Sequence, residues 1–133
     1  MIRLTVPGQP IAKGRPRAGT VNGKVRMFTP AKTVNYEGLI ALAGQQAMDG
    51  APLIDGPLRL SVTATFAIPA SWSKKRVAGA LWHTGRPDGD NLLKAVGDGL
   101  NGVVWKDDSQ IAIAEIRKLY GPTPGLLVEV LPL

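Results

Sequence analysis

Five apolar residues at strictly alternate positions, Leu58, Leu60, Val62, Ala64 and Phe66, interleave with Arg59, Ser61, Thr63 and Thr65. Period-two alternation places all five on one side of an extended chain, so residues 57–68 are predicted to form a strand. Around it, residues 2–6 alternate in the same way before Pro7-Gly8, and residues 111–120 and 126–131 read as the last two strands, with Gly121-Pro122 and Pro124-Gly125 turning between them. Helical spacing appears twice. Tyr36, Ile40, Ala43 and Ala47 share one helical face after Thr29-Pro30, a capping hydroxyl followed by proline, and Gly50 and Pro52 stop that helix. Residues 90–100 form the second helix, stopped by Gly99 and Gly102. Residues 71–81 suit a short basic helix capped by Ser71 or Ser73. The reading is one α+β domain over residues 1–133, with a mixed or antiparallel sheet and two main helices. A chain of 133 residues is long enough for one core and too short for two.

Residues 8–29 are rich in glycine, proline and basic side chains and read as a long loop that can turn back as a hairpin at Asn22-Gly23. Residues 1–35 hold Arg3, Lys13, Arg15, Arg17, Lys24, Arg26 and Lys32 and no acid. Lys74, Lys75, Arg76 and Arg86 form a second basic group. With 16 Lys+Arg against 10 Asp+Glu, the net charge of +6 favours an anionic partner. Basic runs are usually solubilising. Two of them flanking an acidic cluster point instead to nucleic acid, with Lys13, Arg15, Arg17, Lys74, Lys75, Arg76 and Arg86 as backbone contacts.

That acidic cluster is the chemical signature. Five of the 10 acids lie between Arg86 and Ser109, and all are aspartates: Asp88, Asp90, Asp98, Asp107 and Asp108. Grouped carboxylates repel one another unless a cation or hydrogen bonds compensate. With no cysteine and His83 as the only histidine, a Cys/His zinc site is excluded, and any metal must be held by oxygen, as Mg²⁺ or Mn²⁺ are. On the predicted helix, Leu92, Leu93, Val96 and Leu100 form the core arc, while Asp90, Asn91, Lys94 and Asp98 face the other way. Asp88 precedes the helix by two residues. Asp88 or Asp90 also suits an N-cap, and Asp90 with Lys94 an ordinary surface pair. Asp107-Asp108 can send one carboxylate into a pocket while the other braces the turn, with Trp105 and Leu100 in the core behind it. Trp82 and His83 suit a DNA surface or, more simply, partial burial. Phosphodiester hydrolysis needs an activated water and charge stabilisation; Asp88, Asp90 and Asp108 as ligands beside Lys94 supply that inventory.

Pro87-Asp88-Gly89-Asp90-Asn91-Leu92-Leu93-Lys94, Asp98-Gly99-Leu100-Asn101-Gly102 and Trp105-Lys106-Asp107-Asp108-Ser109-Gln110-Ile111, in this order, resemble the RusA family of Holliday-junction resolvases. Gly8-Gln9-Pro10-Ile11-Ala12-Lys13-Gly14-Arg15-Pro16-Arg17 and Tyr36-Glu37 look like its phage-related members. The resemblance implies a homodimeric endonuclease that cuts four-way DNA junctions symmetrically with Mg²⁺ or Mn²⁺. It maps the essential carboxylates onto Asp88, Asp90 and Asp108 and the essential lysine onto Lys94, with Asp98 and Asp107 at commonly acidic positions. Alternatives are a less selective metal-dependent nuclease or phosphohydrolase, or a DNA-binding protein without catalysis. The chain carries neither a membrane-length apolar run nor a signal-peptide pattern, so a cytoplasmic location is expected.

Overall fold

The structure is a computed structural model. It describes the backbone of residues 1–11, 17–21, 23–28 and 31–133, and the side chains of these residues except 17–21, 25–28 and 31–34. In chain order the elements are β1 (Ile2–Pro7), β2 (Arg17–Val21), β3 (Lys24–Phe28), α1 (Ala31–Met48), β4 (Leu58–Ala67), α2 (Lys74–Ala78), α3 (Gly89–Leu100), a 3-10 turn (Asp108–Gln110), β5 (Ile111–Gly121) and β6 (Gly125–Pro132). Four strands form one sheet in the order β1-β6-β4-β5. β6 is antiparallel to both β1 and β4, whereas β5 is parallel to β4, so the sheet is mixed.

The alternation in β4 does what its period requires. Leu58, Leu60, Val62, Ala64 and Phe66 are all buried, as are Leu126, Val128 and Val130 of β6 and Leu4 and Val6 of β1. Together they form one sheet face, closed by Tyr36, Ile40 and Met48 of α1 and Leu92, Val96 and Leu100 of α3. Removing water from this surface is the main favourable term in folding, at about 25 cal/mol per Å² of apolar area. The opposite face is polar. Arg3 pairs with Glu129 at 3.0 Å, and Glu115 receives Arg59 and, at 3.1 Å, Arg117. Hydrogen bonding to Arg59, and then the charges of Arg59 and Arg117, holds the Glu115 carboxyl below its usual range.

The two long helices cross closely because glycine stands at the contact. A Cβ on Gly99 would lie 2.9 Å from Ile40 Cγ2 and 3.1 Å from the Glu37 carbonyl, and one on Gly44 would lie 2.6 Å from Leu100 Cδ2. Gly99 is therefore inside α3 and does not stop it; the helix ends at Asn101, followed by Gly102 at φ +76. The sequence reading missed this because glycine at a helix crossing and glycine at a helix end look alike in one dimension. Asp49 and Gly50, both left-handed, end α1; Gly50 was expected there, Asp49 was not.

Within the basic N-terminal stretch, β2 and β3 pair as the expected hairpin, with Val21 opposite Lys24, so Arg17–Val21 and Lys24–Phe28 are strands within what reads as a loop. Gly23 takes φ +75, as a tight hairpin turn demands. The Thr29-Pro30 cap falls outside the described residues. The short link from β5 to β6 does not make a hairpin. Gly121 pairs with Ala67 and Gly125 with Thr65, so the chain passes across the end of β4 and re-enters on its other side. A Cβ on Gly121 would lie 2.7 Å from Thr65 Cγ2, which explains the glycine there.

Candidate active site

The segment leading to α3 hangs on the outer edge of β5. His83 N–H donates to the Lys118 carbonyl at 2.9 Å, Tyr120 N–H donates to the Leu81 carbonyl at 2.9 Å, and Lys118 Nζ reaches the Gly85 carbonyl at 2.6 Å. The His83 ring stacks on Phe66 with centroids 3.8 Å apart and meets the edge of Tyr120 at 5.0 Å. Its Nδ1 is buried without a hydrogen-bond partner among the described residues. Burial first, and then the Lys118 charge, lower the imidazole pKa, so the neutral ring is favoured. His83 is therefore a packing residue, the simpler of its two sequence readings.

Asp88 occupies the N-cap of α3, but its side chain makes no capping hydrogen bond. Only its carbonyl serves the helix, accepting from Leu92 N–H at 3.1 Å. Gly89 then brings the helix start onto β5, where a Cβ would stand 3.1 Å from Ile116 Cγ2. The core arc appears as predicted: Leu92, Val96 and Leu100 are buried and Leu93 is half-buried, whereas Asp90, Lys94 and Asp98 are exposed. Asp90 and Lys94 do not form an ion pair among the described residues. The carboxylates of Asp88 and Asp90 are thus spent neither on capping nor on a neighbouring cation.

Asp108 comes to this helix from the other side. Its Oδ1 accepts from Trp105 Nε1 at 2.8 Å, and Trp105 is completely buried. Its Oδ2 lies 3.6 Å from the position a Cβ on Gly97 would take. Gly97 is seven residues past Asp90, two helical turns, so both stand at nearly the same azimuth on α3. Asp108 is therefore laid along the line of α3 that begins with Asp90. Asp107 points into its own turn, where Ser109 Oγ donates to Oδ2 at 2.6 Å. Asp107 thus braces the turn as expected, while Asp108 is held by Trp105 against α3.

Gln110 was the residue that sequence reasoning passed over. Its Oε1 accepts from Lys106 N–H and Asp107 N–H, both at 2.8 Å, and its Nε2 donates to the Ile54 and Gly56 carbonyls, both at 2.9 Å. All four hydrogen-bonding positions of the amide are used, locking the Asp108 turn to the chain before β4. The Asp-x-x-Gln spacing of a capping box was the available signal.

Among the described residues no three His, Asp or Glu side chains are gathered closely enough to enclose a metal ion. The donor chemistry nonetheless fits a hard cation. The oxygens of Asp88 and Asp90 have no partner among the described residues, and Asp108 keeps Oδ2 free of the Trp105 bond. Mg²⁺ retains several waters and needs only one or two carboxylates directly, so an open arrangement suits it better than Ca²⁺.

Of the basic residues, Lys74, Lys75, Arg76 and Arg86 are exposed, the first three on α2, which Ser73 caps by accepting from Arg76 N–H at 3.2 Å. Lys13 and Arg15, and the side chain of Arg17, fall outside the described residues. Among the described residues no helix is long and apolar enough to cross a membrane.

A family profile described as endodeoxyribonuclease RusA matches residues 7–131, which takes in β2 through β5, nearly all of β6 and every aspartate of the site. The chain belongs to the RusA family. Among curated relatives, it is 37% identical over 135 residues to an uncharacterized protein, YqaN, of Bacillus subtilis, covering 97% of this chain and 94% of that protein. It is 31% identical over 115 residues to the crossover junction endodeoxyribonuclease rusA of Lactococcus phage r1t, covering 83% of this chain and 80% of the phage protein. RusA membership makes this chain a nuclease by family, and a prophage-type origin is in keeping with the phage relative.

Proposed function

We propose that this RusA-family protein is a Mg²⁺-dependent, structure-selective endodeoxyribonuclease that resolves four-way DNA junctions by paired symmetric cuts, acting as a homodimer. The observation that carries the reading is the placement of Asp108 against α3 at Gly97, on the azimuth of Asp90. Two aspartate motifs remote in sequence are thereby laid along one line of α3, about 10 Å apart along its axis, which supports a site drawing on both. The crossover junction nuclease of phage r1t supports the choice of substrate.

In this reading Asp88, Asp90 and Asp108 hold the cation, Mg²⁺ with Mn²⁺ as substitute. When bound, it supplies an activated water and neutralises charge on the phosphate. Lys94, one turn beyond Asp90 and exposed, places its ammonium where negative charge accumulates on the scissile group. Trp105 fixes Asp108 through one oxygen and leaves the other to act. Lys13, Arg15, Arg17, Lys74, Lys75, Arg76 and Arg86 contact the phosphate backbone, giving affinity that falls with salt and carries little sequence preference. Two symmetric cuts need two such sites, hence two copies.

The test is cleavage of a synthetic four-way junction beside a matched duplex, with Mg²⁺, by wild type and Asp108→Asn. Selective junction cutting that collapses in the variant while junction binding persists or tightens supports the proposal. Equal cutting of both substrates favours a less selective nuclease; binding without any cutting favours a DNA-binding protein.

A further inference from the structure

A second feature is built largely from residues shortly before Asp88 in the chain and is not explained by the aspartates. Trp72, Arg76, Gly79, Ala80, Leu81, Trp82, Thr84 and Tyr120 line an open hollow of about 390 Å³ between α2 and the strand-like segment that leads to Asp88. The Arg76 guanidinium lies 3.8 Å over the Trp72 ring, and Trp72 meets Tyr120 edge-on at 4.9 Å. Trp82 has its backbone bridged to Leu119 of β5, yet the residue is 60% exposed. An indole left in water on a rigidly held backbone costs solvation without contributing to the core.

The surroundings select the ligand. Between Asp55 and Asp88 the chain carries no acid, while Lys74, Lys75, Arg76 and Arg86 are all exposed. An aromatic and guanidinium surface rimmed by cations alone complements a flat ring attached to a phosphate. An acidic or purely apolar peptide would use the charge or the aromatic faces, but not both. Base stacking on aromatic and arginine planes is the usual way that proteins hold unpaired nucleotides.

We propose that this hollow seats one unpaired nucleobase, stacked on Trp82 beside the Arg76–Trp72 pair, with the adjoining phosphates on the basic side chains of α2. The proposal rests on the nuclease reading of the site. A branch point is where base pairs open at least cost, and the residues from Trp82 to Asp88 join the seat directly to the first carboxylate.

The experiment is equilibrium binding of the full-length protein, with EDTA present so that nothing is cut. The probes are a short labelled oligothymidylate and an abasic strand of equal length and charge. Trp82→Ala is expected to weaken oligothymidylate binding by about 5- to 150-fold, the range for one lost base–aromatic stack, and to leave abasic-strand binding unchanged. Trp82→Phe should recover part of the loss. Equal weakening on both strands would overturn the proposal by making Trp82 a backbone contact, and no change on either would overturn it in favour of another occupant, such as a protein. Wild-type junction cleavage is scored separately. Base-dependent binding without cleavage keeps the seat and removes the nuclease, and cleavage without base dependence does the reverse.

Discussion

Trp105 Nε1 and Asp108 Oδ1 are joined by a 2.8 Å hydrogen bond that ties a completely buried indole to a half-buried carboxylate. The core thereby sets the direction of a site residue. Trp105→Phe keeps an aromatic ring in the core but removes the donor. Melting experiments should show a loss of about 1–3 kcal/mol from reduced packing and the missing bond. Junction cleavage should fall about 10- to 100-fold through misplacement of Asp108, with junction binding retained.

Gly97 and Gly99 lie on the same helix and should respond oppositely to alanine. A methyl at Gly97 meets Asp108 Oδ2 at ordinary contact distance, 3.6 Å, so the fold accepts it. Helix propensity should raise stability by up to about 1 kcal/mol, while the methyl shields the carboxylate and cleavage drops. At Gly99 the methyl would stand 2.9 Å from Ile40 and 3.1 Å from a backbone carbonyl, and chemical denaturation should show a loss of about 1–3 kcal/mol. Equal behaviour of the two variants would contradict this assignment.

Gln110→Ala removes four hydrogen bonds at once and leaves the Ile54 and Gly56 carbonyls to water. A stability loss of about 1–3 kcal/mol is expected, together with faster hydrogen exchange at Lys106 and Asp107 than elsewhere. Gln110→Glu keeps the two accepting contacts but turns the donating ones repulsive, so it should not rescue.

His83 gives the fold a pH dependence of known sign. Its folded pKa lies below the ordinary 6.5, so between those two values the unfolded chain binds the extra proton. Its contribution is complete above pH 6.5 and is lost as pH falls toward the lowered folded value. Thermal melts across pH 7 to 5 should therefore decline more steeply for wild type than for His83→Phe, which retains the stack on Phe66 and carries no proton. Parallel curves would remove His83 from this role.

Much of the architecture was legible because burial imposes periodicity. Leu58 to Phe66 announced β4, and Leu92, Val96 and Leu100 announced the inner face of α3. What periodicity cannot show is which elements become neighbours. The parallel pairing of β4 with β5, the crossing at Gly44 and Gly99, and the contact of Asp108 with Gly97 all join residues far apart in sequence. The site was legible as a set of residue types, since clustered aspartates in a cationic chain conflict with folding unless they serve a purpose. Its supports, Gln110 and Gly97, were not, because an amide and a glycine carry no charge to draw notice. The hairpin of β2 and β3 was legible from Asn22-Gly23, whereas the extent of its strands was masked by glycine and basic residues.

Parallel strands oblige the chain to leave β4 at one end and travel back before β5 can begin, and residues 68–110 are that excursion. Every carboxylate assigned to the site is therefore synthesised before Ile116, the surface on which Gly89 seats the start of α3. A nascent chain halted near residue 110 would hold Asp88, Asp90 and Asp108 but not the strand that seats α3. On the nuclease reading, competence to cut DNA would arrive only once translation has run through the final two strands.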